Sequence, residues 1–72
     1  MQYYYLKNLF KNIVKQLDNK DADSTTRRHN LTGLFYLRLS VNTIYIDLKD
    51  KGINEPFLHE LSEEINDKYN SY

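Results

Sequence analysis

The segment Asp21-Ala22-Asp23-Ser24-Thr25 carries the most suggestive spacing of chemical groups in the chain. Two carboxylates in an Asp-x-Asp-x-Thr string suit phosphoryl transfer, in which the first attacks phosphorus and the second serves as acid or base. That chemistry needs the string at the end of a buried parallel strand, and a chain of 72 residues has no room for a parallel sheet with its crossover helices. The segment therefore reads as solvated loop. It fails as a calcium loop as well, because Thr26 stands where the loop glycine is needed and Thr32 where the bidentate glutamate belongs. His29 and His59 are the only histidines, no metal-binding spacing joins them, and there is no cysteine, so no metal is expected. A glycine-rich phosphate loop and a serine-centred elbow are both missing. Glu63 and Glu64 adjoin on a solvated face, a poor place to raise a carboxyl pKa. The sequence thus predicts neither catalysis nor a cofactor.

Binding chemistry is better represented. Tyr36, Arg38 and Tyr45 combine the side chains enriched in interface hot spots. Glu60, Glu63, Glu64 and Asp67 form an acidic row suited to a basic groove on another protein. Against these stand Lys7, Lys11 and Lys15, one stripe at helical spacing, which Arg27 and Arg28 extend into a modest phosphate-binding footprint. In that alternative the tyrosines stack on bases. The Asn30-Leu31-Thr32 sequon carries no weight without a secretory signal.

The elements that must position these residues follow from hydropathy. Leu6, Leu9, Phe10, Ile13, Val14 and Leu17 recur at helical spacing over 3–17, opposite the lysine stripe. Residues 19–32 lack periodicity and are rich in Asp, Ser, Thr and Asn, which reads as a long connecting loop. Over 34–48, two β-rich runs flank Ser40-Val41-Asn42-Thr43. Paired as a hairpin, they set Leu39 against Ile44, Leu37 against Ile46 and Phe35 against Leu48 on one face, with Tyr36, Arg38 and Tyr45 on the other. Residues 49–54 contain Gly52 and read as a turn, after which Asn54 or Glu55 caps a helix with Pro56 in its first turn. Phe57, Leu58, Leu61, Ile65 and Tyr69 line its apolar face. The tyrosines Tyr3 to Tyr5, Tyr69 and Tyr72 can close the ends of the core or widen an interface.

The expected fold is a single α+β domain over 1–72: helix, strand, strand, helix, with an antiparallel β-hairpin packed against two amphipathic helices. A two-stranded sheet is marginal and leaves open edges, so a homodimer completed by edge pairing is predicted. Net charge is zero, but residues 1–38 hold seven Lys/Arg against three Asp and residues 39–72 three Lys against seven Asp/Glu. This polarity fits neither a uniformly basic nucleic-acid binder nor a uniformly acidic mimic of one. Absence of cysteine, of a leader segment and of a long apolar run predicts a cytoplasmic protein that is not embedded in a membrane. Asn, Lys, Ile and Tyr far outnumber Gly, Ala, Arg and Pro, a skew expected of an A/T-rich genome such as a low-GC bacterium or its phages and plasmids. Together these features predict a non-enzymatic interaction module, phage- or plasmid-borne, that binds and occludes a larger protein. A small nucleic-acid-binding regulator is the alternative.

Overall fold

The computed structural model describes residues 3–72. They form three helices, α1 (Tyr4–Leu17), α2 (Ser24–Asp50) and α3 (Pro56–Ser71), and no strand occurs among the described residues. The α+β expectation is thereby overturned: the hairpin predicted over 34–48 is the interior of a continuous 27-residue helix. The long loop predicted over 19–32 shrinks to residues 18–23, and the strand edges on which the predicted edge-paired homodimer depends do not exist. The first predicted helix forms as α1, and the second forms as α3 with Pro56 in its first turn.

The reason lies in which residues of α2 are buried. Leu34, Leu37 and Val41 are in the core, and Leu31, Ile44, Tyr45 and Leu48 pack against it. These positions recur every three or four residues, the period of one helix face. The alternation that suggested strands exists only because Leu39 and Ile46, which a helix leaves outside, are apolar too. Helix start signals were also present. The Asp23 side chain accepts a hydrogen bond from the Thr26 backbone N–H at 2.7 Å and caps α2. That bond holds the Asp23 carboxyl below the ordinary carboxylate range. The second carboxylate of the suspected phosphoryl-transfer string is therefore a helix cap.

At its other end α2 stops in a Schellman motif. The Gly52 N–H reaches the Lys49 carbonyl at 3.0 Å and the Ile53 N–H reaches the Leu48 carbonyl at 2.9 Å, with Gly52 at φ 78. The turn expected at 49–54 is this motif. Pro56 then opens α3, where its missing N–H costs nothing.

A 27-residue helix is about 40 Å long, which accounts for the 44 Å long axis of the molecule. Both shorter helices pack along α2 and run antiparallel to it, so they lie parallel to each other. At one end Tyr4 meets Phe57, ring centroids 6.4 Å apart. At the other the Tyr72 hydroxyl donates to Asp18 at 2.8 Å. The core between them is Leu6, Phe10 and Leu17 from α1, Leu34, Leu37 and Val41 from α2, and Leu58, Leu61 and Ile65 from α3. Leu34, Val41, Leu58, Leu61 and Ile65 are essentially fully buried, each contributing about 1.5–3 kcal/mol of transfer free energy. A hydrogen bond between Ser62 and Asn42 joins α2 to α3 at the flank of this core.

Candidate interaction surface

With no sheet, the proposed outer face of Tyr36, Arg38 and Tyr45 is dismantled. On a helix Tyr36 and Tyr45 lie nine residues apart, on nearly opposite sides. The Tyr45 ring is half-buried, 5.4 Å from the His59 ring of α3. Arg38 folds over aromatic side chains, its guanidinium carbon 4.6 Å from the Tyr69 centroid and 5.3 Å from that of Phe35. The contact with Tyr69 fastens α2 to α3, whereas that with Phe35 lies within α2, and the Arg38 Nε is buried without a hydrogen-bond partner. Tyr36 alone of the three stands free, 61% exposed.

The two charged patches of the sequence are interleaved in space. Because α1 and α3 are parallel neighbours, the lysine stripe lies beside the acidic row. Lys7 Nζ is 3.6 Å from Glu64 Oε1, and Lys68 Nζ is 3.9 Å from Asp18 Oδ2. Glu63 pairs within α3 with His59 at 3.3 Å; Glu60 is exposed on the same helix. Between the two interhelix ion pairs runs an open groove of about 650 Å³, floored by Phe10 and Val14 and walled by Lys11, Lys15, Glu64, Asp67 and Lys68. Its walls carry both signs, which opposes a polyanion along the lysine stripe.

Arg27 has a structural task. Its guanidinium donates to the carbonyls of Leu17 at 3.1 Å and Asn19 at 3.0 Å; the first satisfies an acceptor that the end of α1 leaves open, and the second joins the Ala22 N–H on the Asn19 carbonyl. Arg28 is exposed. Of the five cations read as phosphate contacts, Lys7 and Arg27 therefore already hold protein partners, while Lys11 and Lys15 rim the mixed-charge groove. Among the described residues no three His, Cys, Asp or Glu side chains converge on a metal-sized site.

What sequence reading missed is a surface feature of α2. Tyr36, Leu39 and Ile46 are 61%, 44% and 56% exposed, and with Thr43 they fall at i, i+3, i+7 and i+10. This is the spacing of a seam that packs on another helix or into a groove. Thr32 extends it by one turn. The Thr32 hydroxyl donates to the Arg28 carbonyl at 3.0 Å and the Thr43 hydroxyl to the Leu39 carbonyl at 2.7 Å. Both hydroxyls are thus satisfied by their own helix and ask little of a partner. From Thr32 to Ile46 the seam carries no charged side chain. The signal for it is the coexistence of two periods over 34–48: subtracting the helical core stripe from the apolar residues leaves Phe35, whose ring packs on Tyr69, and the exposed Tyr36, Leu39 and Ile46.

No protein-family model, curated protein or solved structure matches the chain. The surface itself must carry the functional argument. Among the described residues no helix is long and apolar enough to cross a membrane.

Proposed function

We propose that this protein is a non-catalytic interaction module that docks the outward seam of α2, Tyr36, Leu39, Thr43 and Ile46, on a protein surface. One observation carries the reading: three large apolar side chains stand exposed on one uncharged stripe of the longest helix. Exposed apolar residues scattered singly need no explanation, whereas a contiguous row at anchor spacing suits a partner. Tyrosine at one end and isoleucine at the other offer the rigid and branched anchors typical of helix-mediated recognition. Binding there occludes whatever surface the seam covers, with no chemistry required of the module.

The mixed charge beside Lys11 and Lys15 and the engagement of Lys7 and Arg27 favour this reading over the nucleic-acid regulator. Capture by the tagged chain from nuclease-treated lysate of its host tests the proposal. The wild type retains a protein, either another chain or an untagged copy of this one, and Ile46→Glu and Tyr36→Ala release it while Lys11→Glu does not. Equal retention by the wild type and both seam variants would rule the seam out, as would material lost on nuclease treatment.

A further inference from the structure

We infer that the partner of the α2 seam is a second copy of this chain, packed antiparallel through α2 across a two-fold axis near residue 41. The inference rests on the reading of that seam as the contact surface and assigns its occupant.

Self-complementarity is the first argument. In an antiparallel helix pair the i and i+3 positions of the seam face one another in reverse order. One register pairs Tyr36 with Ile46 and Leu39 with Thr43 of the second copy. All three large exposed side chains then meet uncharged partners, and Thr32 meets Asp50 at each rim. Sliding by one heptad sets Ile46 against His29 and gives up part of that match. An isologous contact of this kind closes on itself and leaves no open end for further growth.

Electrostatics selects the orientation. The second turn of α2 exposes Arg28 and His29, and the carboxy-terminal turns expose Asp47, Lys49 and Asp50, of which Asp50 continues the line of the seam while Lys49 lies about a quarter-turn away from it. Although Lys51 already binds Asp47 at 3.0 Å, no salt bridge engages Asp50 or Arg28 among the described residues. Antiparallel packing brings Arg28 of one copy toward Asp50 of the other and opposes the two helix dipoles, both favourable. Parallel packing would set Arg28 against Arg28 and Asp50 against Asp50. The seam is narrow, on a ridge flanked by α1 and α3, so the buried area falls at the low end of specific interfaces. A dissociation constant of about 10⁻⁶ M is the expected scale.

Light scattering with gel filtration over a wide concentration range, joined to disulfide trapping, tests this directly. The chain has no cysteine, so introduced thiols report without background. The expected mass rises toward twice the 8.7 kDa of one chain. Ile46→Glu and the milder pair Leu39→Ala with Ile46→Ala return it to one chain mass while helical circular dichroism is unchanged. Mixed Thr32→Cys and Asp50→Cys proteins cross-link to each other in preference to themselves. Self-links by each thiol alone would indicate a parallel pair and overturn the inference. A dimer that survives the seam substitutions would overturn it too. A chain that stays monomeric while seam substitutions still abolish capture from lysate would refute the self-partner and leave the docking reading standing. Monomeric behaviour with capture indifferent to those substitutions would remove both.

Discussion

Arg27 and Arg28 adjoin in the sequence, but their side chains have different work. Arg27 bridges the end of α1 to the start of α2 through two carbonyls, the part-buried one of Leu17 and the exposed one of Asn19, and hydrogen bonds from a charged donor are worth more than neutral ones. Arg27→Ala is expected to destabilise the fold by about 1–2 kcal/mol in urea denaturation, whereas Arg28→Ala stays within about 0.5 kcal/mol. Equal effects would mean that the carbonyl bridge contributes nothing. Tyr72 offers a second test at this scale. Burial of part of its surface, followed by its bond to Asp18 and the negative charge of that carboxylate, pushes its phenol up to about 12. A raised pKa means that the folded state holds the proton more tightly than the unfolded chain. The contribution of Tyr72 to stability is thus complete below the ordinary tyrosine value near 10, and it is lost as pH rises through about 12. Ultraviolet titration of the wild type minus Tyr72→Phe should show a midpoint well above 10, and a difference midpoint at about 10 would contradict the contact.

At the scale of elements, α1 and α3 were legible and α2 was not. In α3 the apolar residues occupy one face and the charges another, and in α1 the buried Leu6, Phe10 and Leu17 keep helical period against the lysines although Tyr4, Tyr5 and Leu9 are exposed. In α2 the buried Leu34, Leu37 and Val41 share the sequence with exposed Tyr36, Leu39 and Ile46, and the sum imitates strand alternation. β-branched Val41, Thr43, Ile44 and Ile46 strengthen the imitation. Tertiary packing on two flanking helices overrides that local preference. Of the proposed contact set only the residue types can be read from the sequence: Tyr36 is exposed, while Arg38 and Tyr45 pack toward α3, and the strand pairing that would join the three does not exist. Places where local pattern and fold disagree are often functional, and here the residues that misled are those of the seam. The glycines give the element-scale prediction. A Cβ on Gly33 would lie 3.7 Å from Ile13 Cδ1, an ordinary contact, so Gly33→Ala should stabilise α2 by about 0.5–1 kcal/mol. Gly52 holds φ 78 with open space around it, so Gly52→Ala should cost about 1–2 kcal/mol through backbone strain alone. Urea midpoints moving in the same direction for both would break this assignment.

Over the whole molecule, the polarity of the sequence is resolved by topology. The basic α1 and the acidic α3 lie side by side, so Lys7 meets Glu64, while at the end of α1 Asp18 meets Lys68 with the signs reversed. Large apolar side chains are also exposed on α1, at Tyr4, Tyr5 and Leu9, and at Ile53 and Tyr72, but Tyr36, Leu39 and Ile46 form the longest such row along a single uncharged helix stripe. The molecule is slender, 44 × 19 × 16 Å, and its longest helix presents that row along its outer ridge. Residue-resolved nuclear magnetic resonance of the labelled chain across a concentration series tests both the continuous α2 and its seam. The expected spectra show helical carbon shifts without a break from Ser24 to Asp50, with concentration-dependent changes centred on Tyr36, Leu39, Thr43 and Ile46. Extended-chain shifts over 35–48, or changes centred instead on the groove residues Lys11, Lys15 and Asp67, would contradict the account.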